Sequence, residues 1–515
     1  MAYSLTDLGF VDHVNNTIPG SSYIMALDSG TTSVRAIIVD EYDCIVAQAS
    51  KPIHTMYPQP GWVEQDPTEI LASQIAVMAE VQFKSGIHSD RIAALGLSNQ
   101  RETCVVWDRD SGQPIYNAIG WQCRRTAPIV DELIAAGYED VIRQKTGLKL
   151  DPYFSGTKIK WILDNVSGAR EAAEAGELMF GTIDTWLIYN LTNGLVYATD
   201  MTNASRTMLY NIHTLEWDDE LLDILGIPRS MLPEVKWSSD DYGHVSSEVM
   251  THTPPITGVA GDQQASFFGH CCFNKGDTKN TYGTGCFLLM NTGDEVVHSN
   301  NGLISTIGIA EGGKVSYALE GSIFHAGSVI QWLRDKLGII KHAADTAAIA
   351  QSVEGNDDCY LVPAFSGLGA PWWDPMARGL ITGLTAASDR ATLVRAACES
   401  MAYQSYDVLR SMEADAGMKL AELSVDGAAS RNDFIMQFQA NLLGIPVVQT
   451  EAVETTALGA AYLAGLAVGY WEDRDELQAD HALGKRFMPA GEEREIAHCL
   501  SGWHDAVART RTVIQ

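Results

Sequence analysis

The strongest constraint on this chain is a pair of glycine–threonine turns half a chain apart, each between two short apolar runs. The first is Asp28-Ser29-Gly30-Thr31-Thr32-Ser33, with residues 23–27 before it and 34–39 after it. The second is Thr281-Tyr282-Gly283-Thr284-Gly285-Cys286, between 279–281 and 287–291. All four runs read as strands. Glycine lets a backbone approach a ligand closely, and threonine adds a hydroxyl beside exposed N–H groups. A single such turn is usually just a hairpin turn. Two that face each other would clamp a polyphosphate.

The segments around the two turns repeat one grammar. In the first half, 23–27, 34–39 and 44–49 predict a meander. Asp66-Pro67-Thr68-Glu69 then starts a helix, with Asp at the N-cap and Pro at the first helical position, and Leu71, Ile75, Met78 and Ala79 as its apolar stripe. A buried strand at 92–97 delivers Asn99-Gln100-Arg101-Glu102 at its carboxyl end, where open α/β sheets place ligands. In the second half, 303–309 and 315–319 pair as a hairpin around Glu311-Gly312-Gly313. A helix follows with Ala326, Val329, Ile330, Leu333 and Leu337 on one face. A strand at 423–425 then delivers Asp426-Gly427-Ala428-Ala429-Ser430-Arg431-Asn432 into a helix beginning near Phe434. The repetition implies a duplicated α/β unit, divided near 271–276. Gly308 to Lys314 nearly spells a P-loop, but Val315 stands where the magnesium-binding hydroxyl belongs, so a tight turn is expected.

Composition narrows the function classes. With 515 residues, 46% hydrophobic and 19% charged, the chain reads as globular and multidomain. A formal charge of −30 argues against nucleic acid and anionic membranes as partners. Nine scattered cysteines without a C-x-x-C pair argue against a disulfide framework or structural zinc and fit a reducing cytoplasm. Residues 1–22 lack Lys, Arg and a long apolar run, so they read as a loose extension and not a signal peptide. The low-charge run 455–471, rich in Ala and Gly, is short for a membrane span and reads as a buried core helix.

Several residues could carry chemistry, each with a plainer alternative. Asp28 could hold Mg²⁺ through water beside a polyphosphate, or simply cap a turn. Asp262, after the apolar strand at 256–260, could be a general base or a helix cap. Arg101-Glu102 could grip neighbouring hydroxyls or form a surface ion pair. In Trp121-Gln122-Cys123-Arg124-Arg125, the tryptophan alone reads as core and the arginines as solvated. Tyr153 reads as a packed aromatic, and Pro371-Trp372-Trp373-Asp374-Pro375 as a packing loop.

Long segments carry a resemblance that decides among these. They are SNQRET at 98–103, NAIGWQCRRT at 117–126, DPYFSGTKIKWILD at 151–164, GTIDTWLIYNLT at 181–192, TNASRTMLYNIHTLEWDD at 202–219, AGDQQASFFG at 260–269, KNTYGTGCFLLMNTG at 279–293 and TALGAAYLAGLAVGYW at 456–471. From about 23 to 487 the chain resembles the FGGY carbohydrate kinases, and among them those that phosphorylate glycerol. The resemblance implies two actin-like ATPase domains of ribonuclease-H-like topology, at 23–270 and 271–515, closing over a nucleotide cleft. It implies transfer of the γ-phosphoryl group of ATP to glycerol, giving sn-glycerol 3-phosphate and ADP. Arg101, Glu102, Tyr153 and Asp262 are then expected to bind glycerol, with Asp262 as base. Trp121 and Phe287 wall its carbons, and Gln263 lies alongside. Asp28 positions Mg²⁺. Thr31, Thr32, Ser33 and Arg35 serve the phosphates from the first half, and Gly283 and Thr284 from the second. Gly327, Gln331, Ala428 and Asn432 serve the rest of the nucleotide. A homodimer or homotetramer is expected by analogy.

Three departures qualify the match. Ser29 replaces the usual Gln of the first turn. Ala428 replaces the second Gly of Asp-Gly-Gly, and its methyl would weaken ATP binding if that backbone took φ > 0. Residues 248–255 lack the Gly-Gly-x-Arg loop, so control by fructose 1,6-bisphosphate is not expected. The rival readings are an FGGY kinase for another small polyol or sugar, an ATP-binding scaffold of the actin or heat-shock type, and a non-catalytic regulator.

Overall fold

Each glycine–threonine turn closes a hairpin whose first strand also takes a parallel neighbour, and that combination defines both main sheets. The computed structural model describes residues 22–452, 454–481 and 483–512. Apart from Ser22, the expected N-terminal extension lies outside these residues. The first sheet contains β1 (Tyr23–Ser29), β2 (Ser33–Val39), β3 (Ile45–Pro52), β4 (Ile92–Asn99) and β5 (Ile256–Gly261). Its order is β5-β4-β1-β2-β3, with an antiparallel meander on one side of β1 and parallel β4 and β5 on the other.

The second sheet contains β6 (Thr278–Tyr282), β7 (Cys286–Gly293), β8 (Ile304–Glu311), β9 (Lys314–Ile323), β10 (Leu423–Asp426), β11 (Val447–Thr450) and β12 (Leu483–Phe487). Its order is β8-β9-β7-β6-β10-β11-β12. Here β6 stands where β1 does, with a meander through β7 and β9 on one side and parallel β10 and β11 on the other. The duplicated, ribonuclease-H-like topology expected from the sequence is present in both. Gly312 and Gly313, at φ 63° and 72°, form the two-residue turn between β8 and β9, so the P-loop look-alike is a hairpin.

The chain forms two compact units. The first runs to Cys271 and also takes Ile309–Val315 and Thr456–His481; the second takes the rest from Cys272 onward. The core of the first unit includes Met25, Leu27, Leu95, Leu97, Trp107 and Trp186. That of the second includes Leu288, Leu319, Met401, Val425 and Met436. Two contiguous halves do not describe this path, because the small-residue helix Thr455–Ala467 returns to the first sheet. It is buried through Ala457, Leu458, Ala460, Ala461, Tyr462, Leu463 and Ala464, as a core helix should be. The approach is backbone on backbone. A Cβ on Gly96 would lie 2.1 Å from the Ala460 carbonyl oxygen, and one on Gly258 2.4 Å from the Ala464 nitrogen. Ser239 and Thr257 hydroxyls donate to the Leu463 and Ala464 carbonyls at 2.9 and 3.0 Å. No helix among the described residues is long and apolar enough to cross a membrane.

Local signals are partly offset. Asp66 caps the helix Pro67–Ser85 by accepting from the Thr68 N–H, while Glu69 accepts from His54 N–H at 3.2 Å. The buried face of that helix runs through Ile70, Gln74, Val77, Met78 and Val81, and Ala79 is exposed. Gln74 breaks the apolar pattern because its amide donates to the Arg35 carbonyl at 2.9 Å. Leu337 falls beyond the helix Gly327–Asp335 and is exposed.

Gly96→Val is expected to cost about 2–3 kcal/mol through overpacking at the returning helix. The midpoint of urea unfolding measures it; an unchanged midpoint would refute the close contact.

Candidate active site

Three parallel strand ends place the first unit's chemistry side by side. Asp28 lies opposite Ser98, and Asn99 lies opposite Gly261, the residue before Asp262. Asp262 is the first residue of the helix Asp262–Gly269, with Gly261 as N-cap, and its Oδ1 accepts from the Gln263 N–H at 2.8 Å. Gln263 is itself buried. Arg101 follows the end of β4 and is buried, not a surface charge. Its Nε is 3.1 Å from Asp262 Oδ1 and 3.8 Å from Glu102 Oε1, and its Nη1 donates to Gln264 Oε1 at 3.2 Å. Glu102 is buried too and takes φ 62°, inside a three-residue turn closed by Thr103 N–H donating to the Arg101 carbonyl at 2.7 Å. Turns of this hand are strained and concentrate at functional sites.

Aromatic groups line the same region. The Trp121 and Tyr153 rings meet edge to face at 5.6 Å. The Trp121 indole N–H donates to Thr31 Oγ1 at 2.9 Å, tying this wall to the first turn. Tyr153 N–H donates to Asp151, whose carboxylate pairs with Arg124 at 2.8 Å. Buried Lys158 donates to the Tyr153 and Phe154 carbonyls, and burial pushes its pKa down to about 8. Arg125 is buried and not solvated: it pairs with Glu64 at 2.6 Å and lies over Trp62 at 3.9 Å.

The first turn is shaped by two glutamines. Gln65 donates to the Thr31 carbonyl at 2.6 Å and Gln100 to the Gly30 carbonyl at 3.3 Å, and the two amides join at 2.7 Å. In a planar trans peptide the N–H points opposite the carbonyl. The N–H groups of Thr31 and Thr32 therefore face away from the glutamines, as an anion-binding nest requires. Thr32 is exposed, Thr31 and Ser33 half-buried, and Arg35 stands across the hairpin from Asp28. Burial raises the Asp28 carboxyl from 3.8 to about 6, with Arg35 opposing and Asp262 adding to the rise. A hard oxygen donor that is costly to leave charged suits a divalent cation.

The second unit reaches the same geometry by another route. The Gly283 carbonyl accepts from Gly327 N–H at 3.0 Å, and the Thr284 carbonyl from Ala326 and Ser328 N–H at 2.9 and 3.1 Å. The start of the helix Gly327–Asp335 thus turns both carbonyls one way and the next two N–H groups the other. A Cβ on Gly327 would lie 2.6 Å from the Gly283 oxygen. Gln331 is exposed on that helix, and Phe287 is half-buried on β7 opposite Ser322. Gly427 takes φ 87°, but Ala428 opens the 3₁₀ turn Ala428–Arg431 and is absent from the positive-φ positions. The condition under which its methyl would crowd a nucleotide is not met. Asn432 caps the helix Asp433–Leu443 and donates to Thr346 at 3.0 Å.

Sequence reasoning missed the groups that hold these residues, namely Gln65, Gln100, Gln264 and Arg206. Gln100, Gln264 and Arg206 lie in segments that carried the resemblance, yet no local pattern announces their partners.

A duplicated ribonuclease-H-like fold with a glycine–threonine turn in each unit, and with Arg101, Glu102 and Asp262 grouped at the strand ends of the first, fits a phosphotransferase of the sugar-kinase class. The N- and C-terminal domain models of the FGGY family of carbohydrate kinases match residues 23–269 and 278–468. The chain belongs to that family. It is 59% identical over 490 residues to a glycerol kinase of Carboxydothermus hydrogenoformans, covering 95% of this chain and 98% of that one. It is 58% identical over 485 residues to a glycerol kinase of Chromobacterium violaceum, covering 94% and 97%. Among solved structures, Plasmodium falciparum glycerol kinase with ADP superposes with a TM-score of 0.89 at 38% identity, covering 96% of this chain and 99% of that one. A xylulose kinase of Lactobacillus acidophilus shares the fold, with a TM-score of 0.85 at 24% identity over 95% and 97% of the two chains.

A carboxyl group with a raised folded-state pKa costs stability progressively as pH rises from its unfolded to its folded pKa, in full above the latter and not at all below the former. Asp28→Asn, measured without nucleotide or Mg²⁺, is therefore expected to be more stable than the parent at about pH 8, by up to about 3 kcal/mol, and to match it below about pH 4. Thermal unfolding across pH checks this; a difference that does not change with pH refutes it.

Proposed function

We propose that this chain transfers the γ-phosphoryl group of ATP to a terminal hydroxyl of glycerol, giving sn-glycerol 3-phosphate and ADP. The observation that carries the reading is the group formed by half-buried Asp262 with buried Arg101 and Glu102, beside Trp121 and Tyr153, in a chain 59% identical to a glycerol kinase. A triol offers three hydroxyls and a narrow apolar edge. Arg101 donates, Glu102 and Asp262 accept, and the Tyr153 phenol can do either, while Trp121 covers carbon. Phe287 and Gln263 are proposed as further acceptor contacts.

Asp262 is proposed as the general base. Arg101 at 3.1 Å and the Gln263 N–H at 2.8 Å both hold Oδ1, which fixes the carboxylate. In a loose phosphoryl-transfer transition state, alignment of the attacking hydroxyl matters more than early proton removal. The N–H groups of Thr31 and Thr32, with Ser33 and Arg35, are proposed to hold phosphate oxygens. Gly283, Thr284, Gly327, Gln331, Ala428 and Asn432 are the proposed nucleotide contacts of the second unit. Asp28 would hold Mg²⁺ through water, and that ion when bound neutralises charge on the phosphate oxygens. The working form is proposed to be a cytoplasmic homodimer or homotetramer.

ATP-dependent phosphorylation is expected to be fastest with glycerol in a panel that also holds dihydroxyacetone, erythritol, xylulose and gluconate. A better acceptor would replace the substrate assignment with that of another FGGY sugar kinase. Asp262→Asn is expected to lower kcat by about 10²-fold or more while nucleotide affinity is kept. Retained turnover would remove Asp262 as base.

A further inference from the structure

The segment Asp200–Thr207 is buried, carries no group assigned to the reaction, and touches the elements that bear Glu102, Tyr153 and Asp262. Asp200 anchors it: Oδ1 accepts from Asn203 N–H and Nδ2, both at 2.9 Å, and Oδ2 from Thr202 N–H at 2.9 Å and Ser238 Oγ at 2.7 Å. From this anchor, Asn203 exchanges amide hydrogen bonds with Asn99 at the end of β4. Thr202 Oγ1 accepts from the Gly261 N–H at 2.9 Å, just before Asp262. The Thr207 carbonyl accepts from the Gly156 N–H at 2.7 Å, in the helix that follows Tyr153.

Arg206 is the one cation in this segment. Its Nε donates to Glu102 Oε1 at 2.6 Å, and both side chains are essentially inaccessible to solvent. Its guanidinium lies 5.4 Å from the Tyr153 ring centre and 5.1 Å from that of Phe154. Arg101, at 3.8 Å from Glu102 and 3.1 Å from Asp262, leans toward Asp262. The nearer cation for Glu102 is thus Arg206. A buried carboxylate on a strained turn keeps one orientation only if a fixed partner holds it.

We propose that Arg206 is a positioning residue for acceptor recognition, fixing the Glu102 carboxylate through Nε and the Tyr153 ring through its guanidinium face, and so setting which polyol the site accepts. The inference rests on the acceptor-site reading of Arg101, Glu102 and Tyr153. The planar fork matters as well as the charge, because only a guanidinium can bond a carboxylate along its edge and lie against rings with its face.

The test compares Arg206→Met and Arg206→Lys with the parent, using whichever acceptor the parent prefers. A parent that prefers an acceptor other than glycerol refutes the substrate assignment without touching Arg206. For Arg206→Met the acceptor KM is expected to rise about 10- to 100-fold, with the ATP KM within about twofold. The preference over the next acceptor should narrow, and the acceptor should lose its thermal protection of the folded protein while ADP keeps its own. Arg206→Lys keeps the charge without the fork and is expected to fall between the two. An unchanged acceptor KM in either folded variant overturns the proposal. So does an equal rise in the acceptor and ATP KM, which marks general loosening. If neither variant folds, Arg206 serves stability and the positioning role is rejected.

Discussion

Four charges of alternating sign, Asp262, Arg101, Glu102 and Arg206, stand in sequence across the first unit at 3.1, 3.8 and 2.6 Å. Arg101, Glu102 and Arg206 are buried. Removing such groups from water costs several kcal/mol each, and the return comes only if every neighbour is in place. The elements bearing them must therefore be fixed together: the end of β4, the start of the Asp262 helix and the segment from Asp200. Gly261 shows how tight the fit is. A Cβ there would lie 2.6 Å from Arg101 Cγ, so only glycine admits the arginine stem that reaches Asp262.

The turns obey a second constraint of the same kind. A backbone can present successive N–H groups to an anion only if something holds its carbonyls on the other side. In the first unit, side-chain amides of Gln65 and Gln100 do this. In the second unit, the otherwise unpaired N–H groups at the start of a helix do it. The same turn chemistry is thus supported by unrelated means in two copies of one topology. Divergence in the supports with persistence of the turn is what duplication under a common ligand requirement would leave.

Much of this was legible in the chain. The meanders, the strand ends carrying Asp28, Arg101 and Asp262, and the glycine pair at 312–313 all follow from short-range pattern. The misreadings share a cause. The apolar stripe after Asp66 was placed one residue off, because buried Gln74 is satisfied by the Arg35 carbonyl of a distant strand. Arg125 read as solvated because its acid, Glu64, is 61 residues away. The Ala428 methyl bears on the nucleotide loop only at positive φ, and the left-handed position belongs to Gly427 alone in that loop. Arg206 lay in a segment already marked by resemblance and still received no role.

By itself the sequence determined which elements form and which residues stand at their ends, because turns, caps and alternation depend on neighbours a few positions away. It also determined the family, through long stretches of side chains that only one fold accommodates. Tertiary structure alone decided that Arg206 meets Glu102 across 104 residues and that the helix Thr455–Ala467 returns to β4 and β5 of the first unit. Those pairings are set by sheet order and by where backbones can touch. A linear pattern of side chains records neither, so the two glycine–threonine turns were visible from the start and their supports were not.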